Sequence, residues 1–163
     1  MNHVVLFQPE IPPNTGNIMR TCMASASKLH LIKPLGFKLD EKSFKRAGMD
    51  YLKDFKYEIY ENFEEFVNKT NPKHLFILTR FGHVPHSEIK CGDPSKDYFF
   101  MFGGESKGLP DYIKEKYEST SFRIPMHEDA RSLNLSNTVA IVVYEALRQQ
   151  NYPNLSFINK LEG

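Results

Sequence analysis

Two stretches in the last third of this chain carry residue types that suit a ligand pocket made of main chain. Phe102-Gly103-Gly104-Glu105-Ser106-Lys107-Gly108-Leu109-Pro110 begins where the apolar run Tyr98-Phe99-Phe100-Met101 stops, and Ser132-Leu133-Asn134-Leu135-Ser136-Asn137, a few residues after Ile124-Pro125, opens a long apolar segment. Glycines at a strand end let backbone approach a ligand closely, because no Cβ intervenes. A Ser/Asn cluster at a helix start supplies side-chain caps beside backbone N–H groups that lack helical partners. Together they predict a small-molecule site. Near the other end, Asn14, Asn17 and Arg20 recur at a spacing of three and share one helix face; taken alone, a capped helix with an exposed arginine accounts for them better than catalysis.

Other chemistries fit these residues poorly. A phosphate loop ends in Gly-Lys-Ser/Thr, whereas Gly108 is followed by Leu109-Pro110, and proline has no N–H to offer a phosphate. Gly-x-Gly-x-x-Gly does not occur, and the first strand–helix turn, Pro9 to Gly16, has one glycine, so the dinucleotide fingerprint is missing. His83, His86 and Cys91 match no standard zinc spacing, and no metal is expected. Ser132 lacks the Gly-x-Ser-x-Gly elbow of a serine hydrolase.

The elements that must hold these residues follow from the apolar pattern. Strands are expected at Val4–Phe7, Leu29–Ile32, Phe55–Tyr60, His74–Thr79, Tyr98–Phe102 and Thr120–Ile124. Helices are expected at 14–27 with Asn14 as N-cap, at 40–48, at 63–70, after Pro110, and at 135–150. This alternation predicts an α/β fold with a mostly parallel sheet flanked by helices. In the last helix Leu135, Val139, Val142, Val143, Ala146 and Leu147 form one apolar stripe, while Ile141 and Tyr144 lie off it. That second apolar face reads as deep burial or as a subunit interface.

At 163 residues, 40% hydrophobic and 25% charged, the chain suits a single domain, 1–163, with a real core. Its apolar runs are too short to span a bilayer, no secretory signal is visible, and two cysteines fit a reducing cytoplasm. The expected location is cytoplasmic, without membrane contact. The formal net charge of +1 is not the basic footprint usual in nucleic-acid binders. Charge is locally uneven, however: Lys38, Lys42, Lys45, Arg46 and Lys53 precede Glu58, Glu61, Glu64 and Glu65. This cluster reads equally as a solvated face or as part of an RNA-binding cleft.

Taken in order, Pro12-Pro13-Asn14-Thr15-Gly16-Asn17-Ile18-Met19-Arg20, the glycine segment and Ile124-Pro125 with Ser132 to Asn137 resemble the three motifs of the SPOUT RNA ribose methyltransferases. The resemblance spans almost the whole chain. It is closest to the minimal bacterial branch, the tRNA wobble-nucleotide (cytidine/uridine-34) 2′-O-methyltransferases, which Gly36-Phe37, Arg46-Ala47-Gly48 and Asp50-Tyr51 also resemble. Gly104 stands where that branch often has proline. The resemblance implies S-adenosylmethionine as methyl donor, a C-terminal deep trefoil knot, a homodimer and tRNA as partner. It implies cofactor contacts at Leu78, Thr79, Gly103, Gly104, Ile124, Ser132 and Leu133, and a catalytic set of Arg20, Asn14, Glu105, Ser132 and Asn134. The alternatives are a ribosomal RNA 2′-O-ribose methyltransferase and a non-catalytic knotted RNA-binding or assembly module.

Physical chemistry agrees with such a set. Methyl transfer from a sulfonium is an in-line displacement, and positioning alone can supply roughly 7–11 kcal/mol of the barrier. A guanidinium stays protonated, so Arg20 is expected to grip the adjacent phosphate by a charge-assisted fork. Asn14 and Asn17 would steady that helix end, and Glu105 would fix the glycine turn or the substrate. Arg20, Arg131 and the lysine cluster, pooled in a dimer, would form a local positive cleft. Tyr51 or Phe37 would stack on an extruded base, or else pack in the core.

Overall fold

In chain order the elements are β1 (Asn2–Phe7), α1 (Pro12–Ala24), β2 (Lys28–Ile32), α2 (Glu41–Arg46), β3 (Glu58–Tyr60), α3 (Phe63–Thr70), β4 (Leu75–Leu78), β5 (Val84–Pro85), β6 (Tyr98–Gly103), α4 (Asp111–Lys116), β7 (Ser121–Arg123) and α5 (Leu135–Gln149). The computed structural model describes residues 1–46 and 50–160, without the side chains of Glu41, Phe44 and Tyr51.

All described strand pairings are parallel, and the sheet runs β3-β2-β1-β6-β4-β7-β5. The strands that read as unbroken apolar runs take the middle. β1 is buried along its whole length, between β2 on one side and β6 on the other. A central parallel strand is covered on both faces, so alternation with polar residues would bury unpaired groups.

Side chains alternate between two cores, because successive Cβ atoms on a strand point to opposite faces. Val4, Leu6, Phe100 and Phe102 pack with Ile18, Met19 and Cys22 of α1 and Val139, Val142 and Val143 of α5. Val5, Phe7, Phe99 and Met101 pack with Phe63 and Phe66 of α3 and Ile113 of α4. The end of α5 is tied to β1 by reciprocal amide hydrogen bonds between Asn2 and Gln150, at 3.0 and 2.9 Å.

Several boundaries differ from expectation. α1 starts at Pro12 with Ile11 as N-cap, so Asn14 is not the cap but lies in the first turn. Proline suits that position because its missing N–H is one the helix could not have paired. The same helix stops at Ala24, and Ala26 adopts a left-handed φ of 54°. β3 is shorter than the expected 55–60 because Phe55 N–H donates to Leu52 O at 2.9 Å, closing a turn. Thr120 belongs to a 3-10 turn ahead of β7. Of the helix expected at 40–48 the described part is α2, and Ala47-Gly48 lie outside the described residues.

Candidate active site

Parallel strands end together, so one edge of the sheet gathers every strand's exit loop; ligands of open parallel sheets bind at that carboxyl edge. Here the exits of β4 and β6 border a cavity of about 240 Å³. Five of the seven expected cofactor residues, Leu78, Thr79, Gly103, Gly104 and Ser132, line it together. Glu105 lines it as well, and Leu135 and Thr138 close it from α5.

The glycine segment is folded tightly on itself. Gly108 N–H donates to Gly104 O at 2.9 Å, and the two residues form an isolated antiparallel bridge. A Cβ on Gly103 would stand 2.2 Å from the Gly108 carbonyl carbon and 2.5 Å from Leu109 N. It would strike the chain's own return path rather than a ligand, which corrects the simpler expectation that this glycine only makes room for the cofactor. Gly108 has φ +65°, with open space where a Cβ would go. Its requirement is conformational.

Three side chains then join the three motifs. Glu105 accepts hydrogen bonds from Glu10 N–H at 2.7 Å, Ile11 N–H at 3.1 Å and Asn14 Nδ2 at 3.4 Å. Asn14 Oδ1 in turn accepts from Asn134 Nδ2 at 3.1 Å. Asn134 is the N-cap of α5, its Oδ1 accepting from Ser136 N–H and Asn137 N–H. The Pro-Pro start of α1 has no side-chain cap of its own. A carboxylate from a loop 94 residues away binds the Ile11 N–H just ahead of it, near the positive end of the helix dipole. Asn14 and Glu105, expected to steady the helix end and to fix the glycine turn, form with Asn134 a brace between the three segments.

A reciprocal brace escaped the sequence reading. Glu10 carboxylate accepts from Ser106 Oγ at 2.7 and 2.8 Å and from Ser106 N–H at 3.3 Å. Those hydrogen bonds hold its carboxyl below the usual carboxylate range. The only hint in the sequence is its place just past a buried strand, ahead of two prolines. Arg80, Phe81, Lys107 and Lys114 also line the cavity and were not anticipated. Arg80 Cζ lies 4.9 Å and Lys114 Nζ 4.4 Å from the exposed Phe81 ring centroid.

Other expected residues lie elsewhere. Ile124 is buried in the α1–α5 core and Leu133 is 39% exposed; neither lines the cavity. Arg20 opens into a separate depression of about 350 Å³ between α1 and α5, shared with Asn17 and Tyr144. Ile141 and Tyr144, 39% and 43% exposed, stand on that outer side of α5. Phe37 is half-buried, the Tyr51 side chain lies outside the described residues, and Lys38, Lys42, Lys45, Arg46 and Lys53 are all exposed.

Cys22 and Cys91 are buried and free, and burial pushes each thiol up to about 12. Among the described residues no group of three or more His, Cys, Asp or Glu is placed to hold a metal ion. No described helix is long and apolar enough to cross a membrane.

The cavity's chemistry suits an amphiphilic nucleoside. Leu78, Phe102, Leu109 and Leu135 give an apolar floor, and Thr79, Ser132 and Thr138 bring hydroxyls. Lys107 at the rim supplies positive charge. That set fits S-adenosylmethionine, which carries a flat base, ribose hydroxyls and a carboxylate.

The model of the SpoU rRNA methylase family matches residues 1–144. A Listeria monocytogenes protein, provisionally named for tRNA (cytidine(34)-2′-O)-methyl transfer, is 54% identical over 93% of this chain and 89% of its own length. The tRNA (cytidine(34)-2′-O)-methyltransferase of Escherichia coli K12 is 44% identical over 94% of this chain and 96% of its own. A solved structure concerned with 2-OH methylation of C/U34 on tRNA superposes with a TM-score of 0.82 at 37% identity, covering 93% of this chain and 97% of that one. The AdoMet-bound rRNA methyltransferase of Sinorhizobium meliloti superposes with a TM-score of 0.75 at 26% identity, over 90% of this chain and 56% of that one.

Proposed function

This chain belongs to the SpoU rRNA methylase family, and from that premise we propose that it methylates the ribose 2′-hydroxyl of the tRNA wobble nucleotide. The nucleotide is position 34, cytidine or modified uridine, and the methyl donor is S-adenosylmethionine. The observation that carries this reading is the Glu105–Asn14–Asn134 chain of hydrogen bonds, which ties all three motif segments together, the second and third of them lining one glycine-walled cavity. The relatives' names favour tRNA over ribosomal RNA.

When bound, the donor supplies an activated methyl group, so the protein's task is alignment. Leu78, Thr79, Gly103, Gly104 and Ser132 would hold it, and the expected contacts from Ile124 and Leu133 would require those residues to approach from outside the present lining. Glu105, Asn14 and Asn134 fix the loops in register. Arg20 opens on the α1–α5 side and does not line the cavity; a second molecule docked on that side would set its own cavity beside this arginine. We therefore place a homodimer on the outer face of α5, through Ile141 and Tyr144, with Arg20 gripping the phosphate beside the reacting ribose. The rest of the reading is one methyltransferase domain over 1–163, the trefoil knot of the family and action in the cytoplasm.

The test is direct. Purified protein, S-adenosylmethionine and unmodified tRNA are incubated, and the nucleosides are analysed by mass spectrometry. A 2′-O-methyl group at nucleotide 34 is expected; its absence there, or its appearance only in a parallel incubation with ribosomal RNA, overturns the proposal.

A further inference from the structure

A cavity of about 690 Å³ lies at the opposite edge of the sheet from the glycine loop. Residues opening or preceding β1, β2, β3, β4 and β6 converge there, for the same topological reason that exit loops converge at the other edge. Lys28 opens β2, and Lys56, Lys73 and Lys96 stand just before β3, β4 and β6. Four lysines scattered over 69 positions, from 28 to 96, thus share one basin. Lys28, Lys56 and Lys73 make no ion pair among the described residues, and Lys96 has only Asp93, at 3.9 Å. Glu58 and Asp97 are the acidic groups lining it, and Asp97 is already engaged by His3 Nε2 at 3.1 Å.

The inner wall is aromatic and neutral. His3 stacks on Phe99 with ring centroids 4.1 Å apart. His3 Nδ1 lies 2.9 Å from His30 Nε2, and His30 Nδ1 lies 2.8 Å from Tyr60 Oη. Asp97, as a carboxylate, can only accept, which fixes the proton order: His3 Nε2–H donates to Asp97, His30 Nε2–H to His3 Nδ1, and Tyr60 O–H to His30 Nδ1. Every nitrogen is used and neither ring needs a second proton. Burial pushes the His30 imidazole down to about 3, so the basin's positive charge comes from its lysines.

An apolar wall under unpaired ammonium groups, in a cleft of ligand size, suits a phosphate attached to a flat or sugar body. We propose that this amino-edge basin is a phosphate-binding site, occupied either by the phosphodiester backbone of bound RNA or by a free nucleotide. It belongs to the α3 side of the sheet, since His30 packs edge-on against Phe66 of α3. A dimer formed on α5 leaves it open. From the His3–Phe99 register to the Phe7–Gly103 register the strands span about 13 Å, a separation that one RNA bridges easily. The RNA arm rests on the methyltransferase reading; the nucleotide arm does not.

The test uses the full chain and the triple variant Lys28→Gln, Lys56→Gln, Lys73→Gln, all at exposed positions. Binding of unmodified tRNA is measured against salt concentration, binding of AMP by calorimetry, and binding of S-adenosylmethionine as the control for an intact fold. If RNA backbone is the occupant, the triple variant loses tRNA affinity and its log–log salt slope falls by about 2, from roughly 0.7 per released phosphate contact. If a free nucleotide is the occupant, saturable AMP binding disappears and tRNA binding is unchanged. Unchanged tRNA and AMP binding with wild-type cofactor affinity overturns the site. Should the triple variant lose cofactor binding, the single reversal Lys73→Glu provides the same readouts. Absence of methyl transfer by the unaltered chain would strike the enzymatic reading, and the site itself would still stand or fall on the tRNA and AMP binding measurements.

Discussion

Asn134 Nδ2 donates to Asn14 Oδ1 across 3.1 Å, joining residues 120 positions apart in the chain. Each asparagine has another duty: Asn134 caps α5, and Asn14 reaches Glu105. Local capping and long-range assembly therefore share the same atoms, and damage to one is felt by the other.

The pair should be energetically coupled. Asn134→Ala removes an N-cap and is expected to cost about 1–2 kcal/mol, with Asn14→Ala costing less. In a double-mutant cycle by urea denaturation the coupling term should be about 1 kcal/mol. A term near zero would mean the hydrogen bond is not formed in solution.

The glycines of the loop should fail in different ways. Gly103→Val places atoms against Gly108 and Leu109, so both thermal stability and S-adenosylmethionine affinity should drop. Gly108→Ala meets no atom and pays only left-handed strain, about 1–2 kcal/mol. Calorimetry and thermal melts on the two variants separate clash from strain; equal effects would contradict the distinction.

Arg20→Ala should abolish methyl transfer and leave cofactor affinity unchanged, because Arg20 lies in the α1–α5 depression and not in the glycine-walled cavity. Weaker cofactor binding in this variant would overturn the assignment.

Tyr144→Asp puts a charge on the exposed face of α5. If the proposed homodimer forms on this face, sedimentation velocity should show its dissociation in the variant and a parallel loss of activity. An unaltered profile would move the interface elsewhere.

Acid should weaken the fold through the histidine pair. The His30 imidazole falls from its ordinary 6.5 to about 3 when folded, chiefly through burial. Below pH 6.5 the unfolded chain therefore binds a proton that the folded chain refuses. This contribution, on the order of a few kcal/mol, is present above pH 6.5 and is lost progressively as pH falls toward 3. His3 is lowered in the same direction, also by burial. Urea midpoints measured across that window should fall with pH, and the slope should flatten in His30→Phe.

Sequence alone carried the fold class and most of the pocket. Unbroken apolar runs such as Val4 to Phe7 and Tyr98 to Phe102 identify central parallel strands, since only burial on both faces tolerates them. Glycines after one such strand and a Ser/Asn cluster before the last helix mark the turns because both are local signals, set by φ and by unpaired N–H groups. Glu10 and the basin lysines carried no such mark. A glutamate before two prolines, or a lysine before a strand, is ordinary in its own neighbourhood. Such residues acquire a role when parallel pairing lines up strand ends from across the chain and one edge collects what the sequence had scattered. The α1 start shows the same division: the sequence pointed to Asn14 as its cap, whereas the helix begins at Pro12 and the carboxylate that braces its entry, Glu105, comes from the loop after β6; only the packing of that loop against β1 brings it there.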